Sequence, residues 1–292
     1  MKLSFSQWVK KDLCGLTLKK KCCRRSFLYG CMFASRVFSR EAIELRAELP
    51  GAGKSLRVLL SGVFGIACEE GSRLTITLPS ELDAIFSELG SEAHITLNKA
   101  VFGCELCRQV FLRGAFVECG TVNAPGRSYH LEFVAPADGR AEQIAQLIAD
   151  MGVTPGIIHR PAVNSTGVYF KGSEAVEDIL NLIGAQRAAF KLMDAKIVRE
   201  LRGNANRYAN CDTANISKTI DAAQKQIEAI SRMLASGPDG VPDELLTTAK
   251  LRKENPDATL AELAALHDPP LTKSGVKHRL DRIIKFVDPG DE

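Results

Sequence analysis

The sequence predicts an α+β protein, in which a duplicated pseudo-twofold domain is followed by an all-α helix-turn-helix domain. The first observation is an internal repeat, since Cys23-Arg-Arg-Ser-Phe-Leu-Tyr-Gly30 recurs 84 residues later as Cys107-Arg-Gln-Val-Phe-Leu-Arg-Gly114. The second is that each copy continues with strand-like and helical segments, and the third is a series of short helices after residue 240. An offset of this length is too long for a solenoid repeat and indicates two copies of a small domain.

These observations divide the chain into four parts. Residues 1–100 are predicted to form the first half of the duplicated domain, and residues 101–203 the second half. Residues 204–240 are predicted to be a linker with a connecting helix, and residues 241–292 the helix-turn-helix domain. A length of 292 residues is enough for two domains of ordinary size.

The composition is that of an ordinary globular protein, with 45% hydrophobic and 25% charged residues. The net charge is only +3, so a surface for nucleic acid has to come from local clusters of basic residues. No apolar run approaches the roughly 18 residues that span a bilayer, and residues 1–15 lack the apolar region of a secretory signal. We therefore expect a cytoplasmic protein without a membrane partner. Nine cysteines, an odd number, favour reduced thiols over a disulfide framework.

Each copy of the repeat has a glycine in mid-helix, Gly30 or Gly114, among apolar and small residues. Glycine costs roughly 1 kcal/mol relative to alanine inside a helix, so a compensating interaction is expected. A missing side chain lets two helix backbones approach closely. The sequence therefore predicts that the two repeat helices pack on each other at the centre of the pseudo-twofold domain, with incidental glycines as the alternative.

The rest of the first half is predicted to begin with a hairpin. Residues 42–47 alternate apolar and polar positions as a half-buried strand does, and residues 55–63 are its predicted partner. The turn between them, residues 50–55, imitates a phosphate-binding loop, but that motif needs glycine at the position of Glu48, whose carboxylate would repel phosphate. We interpret the turn as a hairpin loop without a nucleotide. The remaining predicted elements are a strand over residues 73–78 and a helix over residues 79–90.

The second half has a clearer periodicity. In residues 127–134, Tyr129, Leu131 and Phe133 share one face, as in a half-buried strand. Each half then follows the order helix, strands, helix, strands, helix. The other predicted elements are a helix over residues 141–151, a strand pair over 156–160 and 167–170, and a helix over 173–183.

A long basic helix is predicted over residues 185–207, and a solvent-exposed face is the ordinary reason for its charges. Residues 204–215 are rich in asparagine and are predicted to interrupt the helical periodicity and to mark the linker. A helix is predicted to resume over residues 217–234 and to end at residues 236–240.

Three short helices are predicted in the last part of the chain. The first covers residues 242–254, and Thr259 and Glu262 form a capping box for the second. Residues 267–270 contain two prolines and end the second helix, while Thr272 caps the third. Two helices joined by a tight turn, the second of them basic, indicate a helix-turn-helix. The apolar positions of the third helix follow helical spacing and are Val276, Leu280, Ile283 or Ile284, and Val287.

The third helix carries the candidate DNA-binding residues. From Leu271 to Val287 there are five basic side chains and one acid, Asp281. In a recognition helix the N-terminal end reads base edges, and later basic residues contact phosphates. A basic, solvent-exposed helix in a protein-binding module is the alternative. The candidates for bases are Lys273, Ser274, Lys277 and His278, the candidates for phosphates are Arg279, Arg282 and Lys285, and the capping Thr272 completes the set.

The repeat helix Phe111-Leu-Arg-Gly-Ala-Phe-Val-Glu-Cys-Gly120 resembles a degenerate LAGLIDADG helix of the homing endonucleases. The resemblance implies that an acid near the end of each helix would hold the metal ion that activates water for phosphodiester cleavage. At the matching positions this chain has Cys119 and Ser35, and Glu118 lies one residue away, turned by about 100° around the helix. Mg²⁺ prefers carboxylate oxygen. We therefore predict no catalytic residues and no nuclease activity.

Further segments, most of them after residue 107, extend the resemblance along the chain. They are Ser128-Tyr-His-Leu-Glu-Phe133, Leu182-Ile-Gly-Ala185, Asn206-Arg-Tyr-Ala-Asn-Cys-Asp-Thr-Ala-Asn215, Lys273-Ser-Gly-Val-Lys-His-Arg-Leu280 and, in the more weakly matching first hundred residues, Cys22-Cys-Arg-Arg25. On these segments the chain resembles the WhiA family of bacterial sporulation and cell-division regulators. The resemblance implies a LAGLIDADG-like domain joined to a C-terminal helix-turn-helix, and promoter binding without cleavage.

We therefore predict a sequence-specific, DNA-binding transcriptional regulator of sporulation, cell division or chromosome segregation that is not an enzyme and is associated with the nucleoid. Its expected partner is double-stranded DNA, and a protein partner on the LAGLIDADG-like domain is left open. The alternatives are a protein-interaction scaffold and a residual metal-dependent nuclease.

Two pairs of cysteines, Cys22 with Cys23 and Cys104 with Cys107, lie just before the two repeat helices, which the pseudo-twofold would bring together. Four thiolates can form a tetrahedral zinc site. Adjacent cysteines bind one ion awkwardly, however, and free cysteine is among the most often buried residues. We therefore predict no cofactor.

Overall fold

The computed structural model describes residues 3–47, 49–90, 96–237 and 240–288. The chain forms two compact units, Met1–Glu200 and Leu201–Glu292. The first unit combines helices with two antiparallel sheets, and the second is helical, so the predicted α+β class is confirmed. Within the described residues, no helix combines the length and the apolar character that crossing a bilayer requires.

The first half of the first unit contains a three-stranded antiparallel sheet with the order β1-β2-β3. Ile43 and Leu45 of the central strand are buried, while their neighbours are more exposed, as the predicted alternation requires. The elements are α1 (Phe5–Cys14), α2 (Lys21–Ala34), β1 (Val37–Phe38), β2 (Ile43–Arg46), α3 (Pro50–Phe64), β3 (Arg73–Ile76) and α4 (Pro79–Leu89).

The second half repeats this plan around a four-stranded antiparallel sheet with the order β4-β5-β7-β6. Two single turns of 3₁₀ helix, Lys99–Val101 and Pro161–Val163, complete it. The elements are α5 (Cys107–Cys119), β4 (Gly120–Val122), β5 (His130–Pro136), α6 (Arg140–Ala149), β6 (Gly156–Arg160), β7 (Ser165–Lys171) and α7 (Ser173–Leu182).

The two repeat helices, α2 and α5, pack on each other along their length, as the glycines predict. A Cβ atom on Gly30 would overlap the carbonyl oxygen of Phe111, and one on Gly114 would overlap that of Phe27. Each glycine therefore faces the backbone of the opposite helix. The loss of helix propensity is offset by this close approach, and Phe111 is fully buried in the core that surrounds the pair.

The hairpin predicted over residues 42–63 is wrong in its second part, because residues 50–64 form helix α3 rather than a loop and a strand. Leu56 and Leu60 are four residues apart and both are fully buried, so the helical period dominates the short alternation. Gly65 ends the helix in the left-handed conformation. Glu48, on which the argument against a phosphate loop depends, lies outside the described residues.

The prediction that the asparagine-rich segment breaks the helix is also wrong. Residues 186–235 form one helix, α8 (Gln186–Ala235), so most of the predicted linker 204–240 is helical. Two threonine side chains donate hydrogen bonds back to the preceding turn, Thr213 to the carbonyl of Ala209 at 2.8 Å and Thr219 to that of Asn215 at 2.9 Å. These polar side chains therefore bond within the helix instead of terminating it.

The second unit contains the last part of α8 and three short helices, as predicted. They are α9 (Asp243–Glu254), α10 (Leu260–Ala265) and α11 (Lys273–Val287). Ile230 and Met233 of α8 are fully buried in the same core as Leu245 of α9 and Leu263 of α10. The capping box at the start of α10 is confirmed, because the Thr259 hydroxyl accepts from Glu262 N–H while the Glu262 carboxylate accepts from Thr259 N–H at 2.7 Å.

Candidate nucleic-acid interface

Helix α11 is fixed in the second unit by one apolar face. Val276, Leu280 and Ile283 are buried in the core, at the spacing of successive helical turns. The polar residues of the first two turns lie on the other face and are exposed, and they are Lys273, Ser274, Lys277 and His278. The structure thus places all four predicted base-reading residues together on an accessible surface.

The start of α11 is capped as predicted. The Thr272 hydroxyl accepts a hydrogen bond from the backbone N–H of Gly275 at 3.1 Å. The cap orients the first turn, where the remaining N–H groups and the helix dipole favour an anion such as a phosphate. Thr272 is therefore placed to position this end of the helix.

Two of the predicted phosphate contacts have a partner inside the protein. Arg282 donates to the carboxylate of Glu244 at 2.6 Å, and a guanidinium nitrogen of Arg279 lies 3.4 Å from the same carboxylate. Glu244 is in the first turn of α9, so this acid links α11 to its neighbour. Lys273, Lys277 and Lys285 make no ion pair with any residue that the structure describes. These three ammonium groups are consequently the cations of α11 that have no acid partner among the described residues.

A buried arginine that sequence reasoning missed holds the helix-turn-helix together. Arg252 of α9 donates to the side chain of Gln226 on α8 at 2.9 Å and to the carbonyl of Ala258, before α10, at 2.6 Å. Burial lowers the pKa of its guanidinium, but the charge is compensated by these acceptors. Arg252 is one of several basic residues in α9, and nothing in the sequence indicates that it is the buried one.

A buried histidine lies between α9 and α11. His267 is only 5% exposed, and its Nε2 is 3.5 Å from the hydroxyl of Thr248 on α9. Its pKa is lowered by burial and by the nearby charge of Arg279. The neutral imidazole therefore fits this site better than the charged form. In the sequence His267 is only the first of the residues that end α10, and nothing there predicts its burial.

The ends of the two LAGLIDADG-like helices do not form a carboxylate pair. Ser35 is buried and donates to the carbonyl of Met32 at 2.8 Å. Burial raises the pKa of the Cys119 thiol to about 12, so this side chain stays neutral at physiological pH. Glu118 is also buried, and its carboxylate accepts from the backbone N–H of Arg46 at 3.0 Å. These groups are not the paired acids that bind hard cations.

Among the residues that the structure describes, one group of three or more His, Cys, Asp or Glu side chains could share a metal ion. It is the cluster of Cys22, Cys23, Cys104 and Cys107, which we call the four-cysteine cluster. It lies at the opposite ends of α2 and α5 from Ser35 and Cys119.

Two family models match the chain, one over the second half of the first unit and the other over most of the second unit. The model described as the WhiA LAGLIDADG-like domain matches residues 108–202, and the model described as the WhiA C-terminal HTH domain matches residues 205–287. The first hundred residues, which carry the first copy of the repeat, lie outside both matches.

Curated relatives and a solved structure agree with these models. A probable cell division protein WhiA of Syntrophomonas wolfei is 32% identical over 310 aligned positions that cover 98% of each chain. The protein of the same description from Clostridium botulinum strain Hall is 40% identical over 191 positions, 65% of this chain and 60% of that one. The crystal structure of full-length DUF199/WhiA from Thermotoga maritima has a TM-score of 0.57 at 23% identity, covering 99% of this chain and all of that chain, and supports the fold.

Proposed function

The chain belongs to the WhiA family, and from that premise we propose that it is a sequence-specific, double-stranded-DNA-binding transcriptional regulator without nuclease activity. The observation that carries the proposal is the accessible basic face of α11 on a capped helix-turn-helix. Lys273, Ser274, Lys277 and His278 are exposed in its first two turns, where a helix inserted in the major groove meets base edges.

The side chains of α11 would divide the work of recognition. Residues of the first two turns would read bases, with Thr272 holding that end of the helix in place. Lys285, and Arg279 and Arg282 after exchanging Glu244 for a phosphate, would contact the DNA backbone. Phosphate contacts release counterions, so binding would weaken as salt concentration rises.

The process we propose is the control of sporulation, cell division or chromosome segregation, from a cytoplasmic position on the nucleoid. Support comes from the relatives, which are described as probable cell division proteins. The ends of the two LAGLIDADG-like helices carry the buried Ser35 and Cys119 where a nuclease needs acids, so we propose that this domain adds affinity for DNA or binds a protein partner and does not cleave.

The test of DNA recognition uses the full chain. Genomic fragments that the chain retains would be eluted at rising salt and sequenced, and a duplex carrying the enriched sequence would be titrated beside a shuffled duplex. We expect binding at least 10³-fold tighter to the enriched duplex, as is typical of specific binding proteins. Equal affinity for both duplexes would refute sequence-specific recognition, and no salt-sensitive binding to either would favour a protein-interaction scaffold.

The absence of nuclease activity is tested separately on supercoiled plasmid with Mg²⁺ or Mn²⁺. We expect no metal-dependent nicking. The matched control is Glu118→Gln, which removes the carboxylate at the end of α5. A trace of nicking that is the same in both proteins is a contaminant, whereas nicking that disappears in the variant would establish a residual nuclease.

A further inference from the structure

The four-cysteine cluster brings together two halves of the first unit that are 82 residues apart in sequence. The Sγ atom of Cys104 lies 3.7 Å from that of Cys22, 3.6 Å from that of Cys23 and 3.5 Å from that of Cys107. All four Sγ atoms lie within 4.8 Å of one another. The proposed DNA-binding function makes no use of these thiols.

The distances from Cys104 to the other three sulfur atoms match those between ligands of one tetrahedral ion. A zinc–thiolate bond of about 2.3 Å places two ligands of a tetrahedron about 3.8 Å apart. The three distances to Cys104 are all close to this value. A disulfide needs sulfur atoms about 2.05 Å apart and uses only two of the four thiols. A cluster of several irons would spread its thiolates more widely than around a single ion.

The local structure explains how adjacent cysteines can share a site. Cys22 and Cys23 are in the first turn of α2, and Cys107 is the first residue of α5. Cys104 lies in the preceding loop and contacts both members of the pair. Gly103 permits this approach, because a Cβ atom there would be only 3.0 Å from the Cβ of Cys22. Both adjacent cysteines of α2 therefore reach the sulfur atom of Cys104.

The surroundings also suit a group of thiolates. Both helices begin at the cluster, and the positive end of a helix dipole stabilises negative charge. A zinc ion with four thiolates has a net charge of −2, and the flanking basic residues Lys20, Lys21, Arg24 and Arg108 are of the sign that offsets it. Cys23 and Cys107 are buried and Cys22 and Cys104 half-buried, which protects the site while leaving a route for the ion.

We propose that Cys22, Cys23, Cys104 and Cys107 bind one structural zinc ion, which fastens the N-terminal ends of the two LAGLIDADG-like helices to each other. Four protein ligands leave no open position for water or substrate, so the site is structural and not catalytic. It joins the first half of the duplicated domain to the second at the end of the helix pair remote from Ser35 and Cys119.

The first experiment measures the metal in the full chain, purified under reducing conditions without chelator. We expect about one zinc per chain by elemental analysis. Adding cobalt(II) to the reduced, metal-depleted chain should give the visible absorption of a tetrahedral cobalt–thiolate centre, saturating near one equivalent. Zinc well below one per chain, together with no such absorption, would refute the proposal. Stoichiometric iron in the purified chain would refute zinc as the bound ion.

The second experiment assigns the ligands. Cys104→Ser and Cys22→Ser are compared with Cys68→Ser, which changes a half-buried thiol outside the cluster. We expect the cluster variants to lose most of the zinc and the cobalt absorption, and Cys68→Ser to keep both. Zinc retained by both cluster variants would refute the assignment.

A third measurement is independent of whether the variants fold. In the native wild-type chain, a strong chelator should release zinc and in the same step make four further cysteines accessible to a thiol reagent. Cys31 and Cys119 are buried in α2 and α5 and should stay unmodified before and after this step. Mass spectrometry should locate the thiols that become accessible at the four cluster positions. Chelator-dependent protection at other cysteines, or a disulfide within the cluster after reducing purification, would refute the proposal.

Discussion

At the scale of single residues, the exposed cations of α11 differ in whether an acid of the protein pairs with them. Lys277 has no such partner among the described residues, whereas Arg282 contacts Glu244 at 2.6 Å. We expect Lys277→Ala to cost about 1–3 kcal/mol on the specific duplex and to relax the preference there, because we propose that Lys277 reads a base. Arg282→Ala should weaken all duplexes alike and lower the salt slope by about one. Titrations of specific and shuffled duplexes at several salt concentrations measure both. If neither variant binds more weakly, α11 is not the DNA-reading helix.

Removing the charge of Glu244 should have the opposite effect on DNA binding. Its carboxylate holds Arg279 and Arg282 and repels phosphate, so Glu244→Gln should strengthen binding to every duplex and steepen its salt dependence. The variant should also lose a few tenths of a kcal/mol of stability, since the acid lies in the first turn of α9. The control is Asp243→Asn, which removes an acid from the same turn without an ion pair to α11 among the described residues. An equal gain in affinity from both variants would mean that charge alone, and not the release of the arginines, is responsible.

His267 should make the stability of the second unit depend on pH. Burial and Arg279 lower its pKa below the ordinary value of about 6.5, so the unfolded chain binds the proton more tightly than the folded chain. Well above about pH 6.5 His267 is neutral in both states and does not affect stability. The free energy of unfolding falls as the pH is lowered from about 6.5 towards the pKa of His267 in the folded chain. Denaturant titrations between about pH 7.5 and pH 5, on either side of the ordinary histidine pKa of about 6.5, measure this change in the free energy of unfolding.

The control for this pH dependence is His278→Gln, which changes an exposed histidine on the same helix-turn-helix. His278→Gln should lose stability in acid as the wild-type chain does. His267→Gln should be less stable than the wild type at neutral pH, but its free energy of unfolding should change little in acid. A wild-type chain whose stability is the same at pH 5.5 and pH 7 would contradict a buried neutral imidazole, the comparison again spanning the ordinary value of about 6.5.

At the scale of elements, the packing of α2 on α5 depends on the absence of two side chains. Gly114→Ala would drive a methyl group into the carbonyl oxygen of Phe27, and the helices can separate only by disturbing a core that is fully buried. We expect a loss of about 1–3 kcal/mol or more in the free energy of unfolding. Gly62→Ala is the matched control, since nothing lies within 4 Å of its Cβ position in α3. It should stabilise the chain by about 0.5–1 kcal/mol. Equal effects of the two would show that Gly114 is incidental.

The elements that could be predicted from sequence are those whose local signal agrees with their surroundings. The repeat helices, the capping box at Thr259 and the cap at Thr272 each depend on residues a few positions apart. The sequence of α3 also predicts a strand, because a short apolar run fits both periods. The asparagine-rich part of α8 also predicts a break, because its side chains can bond either within a helix or outside it.

In the candidate nucleic-acid interface and the four-cysteine cluster, too, local features follow from the sequence and tertiary contacts do not. Exposed residues of α11 followed from the spacing of its apolar face, whereas the pairing of Arg282 with Glu244 and the burial of Arg252 depend on tertiary contacts between separate helices. The four-cysteine cluster was visible as two pairs, but only the fold brings their sulfur atoms into contact.

At the scale of the whole molecule, the two units have separate hydrophobic cores, one within Met1–Glu200 and the other within Leu201–Glu292. Cores without shared residues need not unfold together. We therefore predict two thermal transitions. Gly114→Ala should lower the transition of the first unit, and acidification through the titration range of His267 should lower that of the second.

The assignment of the transitions can be checked with ligands. Specific duplex DNA should raise the transition of the unit that contains α11, because a ligand that binds only the folded form stabilises it by mass action. Removal of zinc by a chelator should lower the other, if the four-cysteine cluster holds the ion. Differential scanning calorimetry of Gly114→Ala, and of the wild-type chain in acid, with specific DNA and with a chelator, gives four shifts to compare. A single transition that moves as one under all of them would show that the two units unfold cooperatively, and the separation of their cores would then have no thermodynamic consequence.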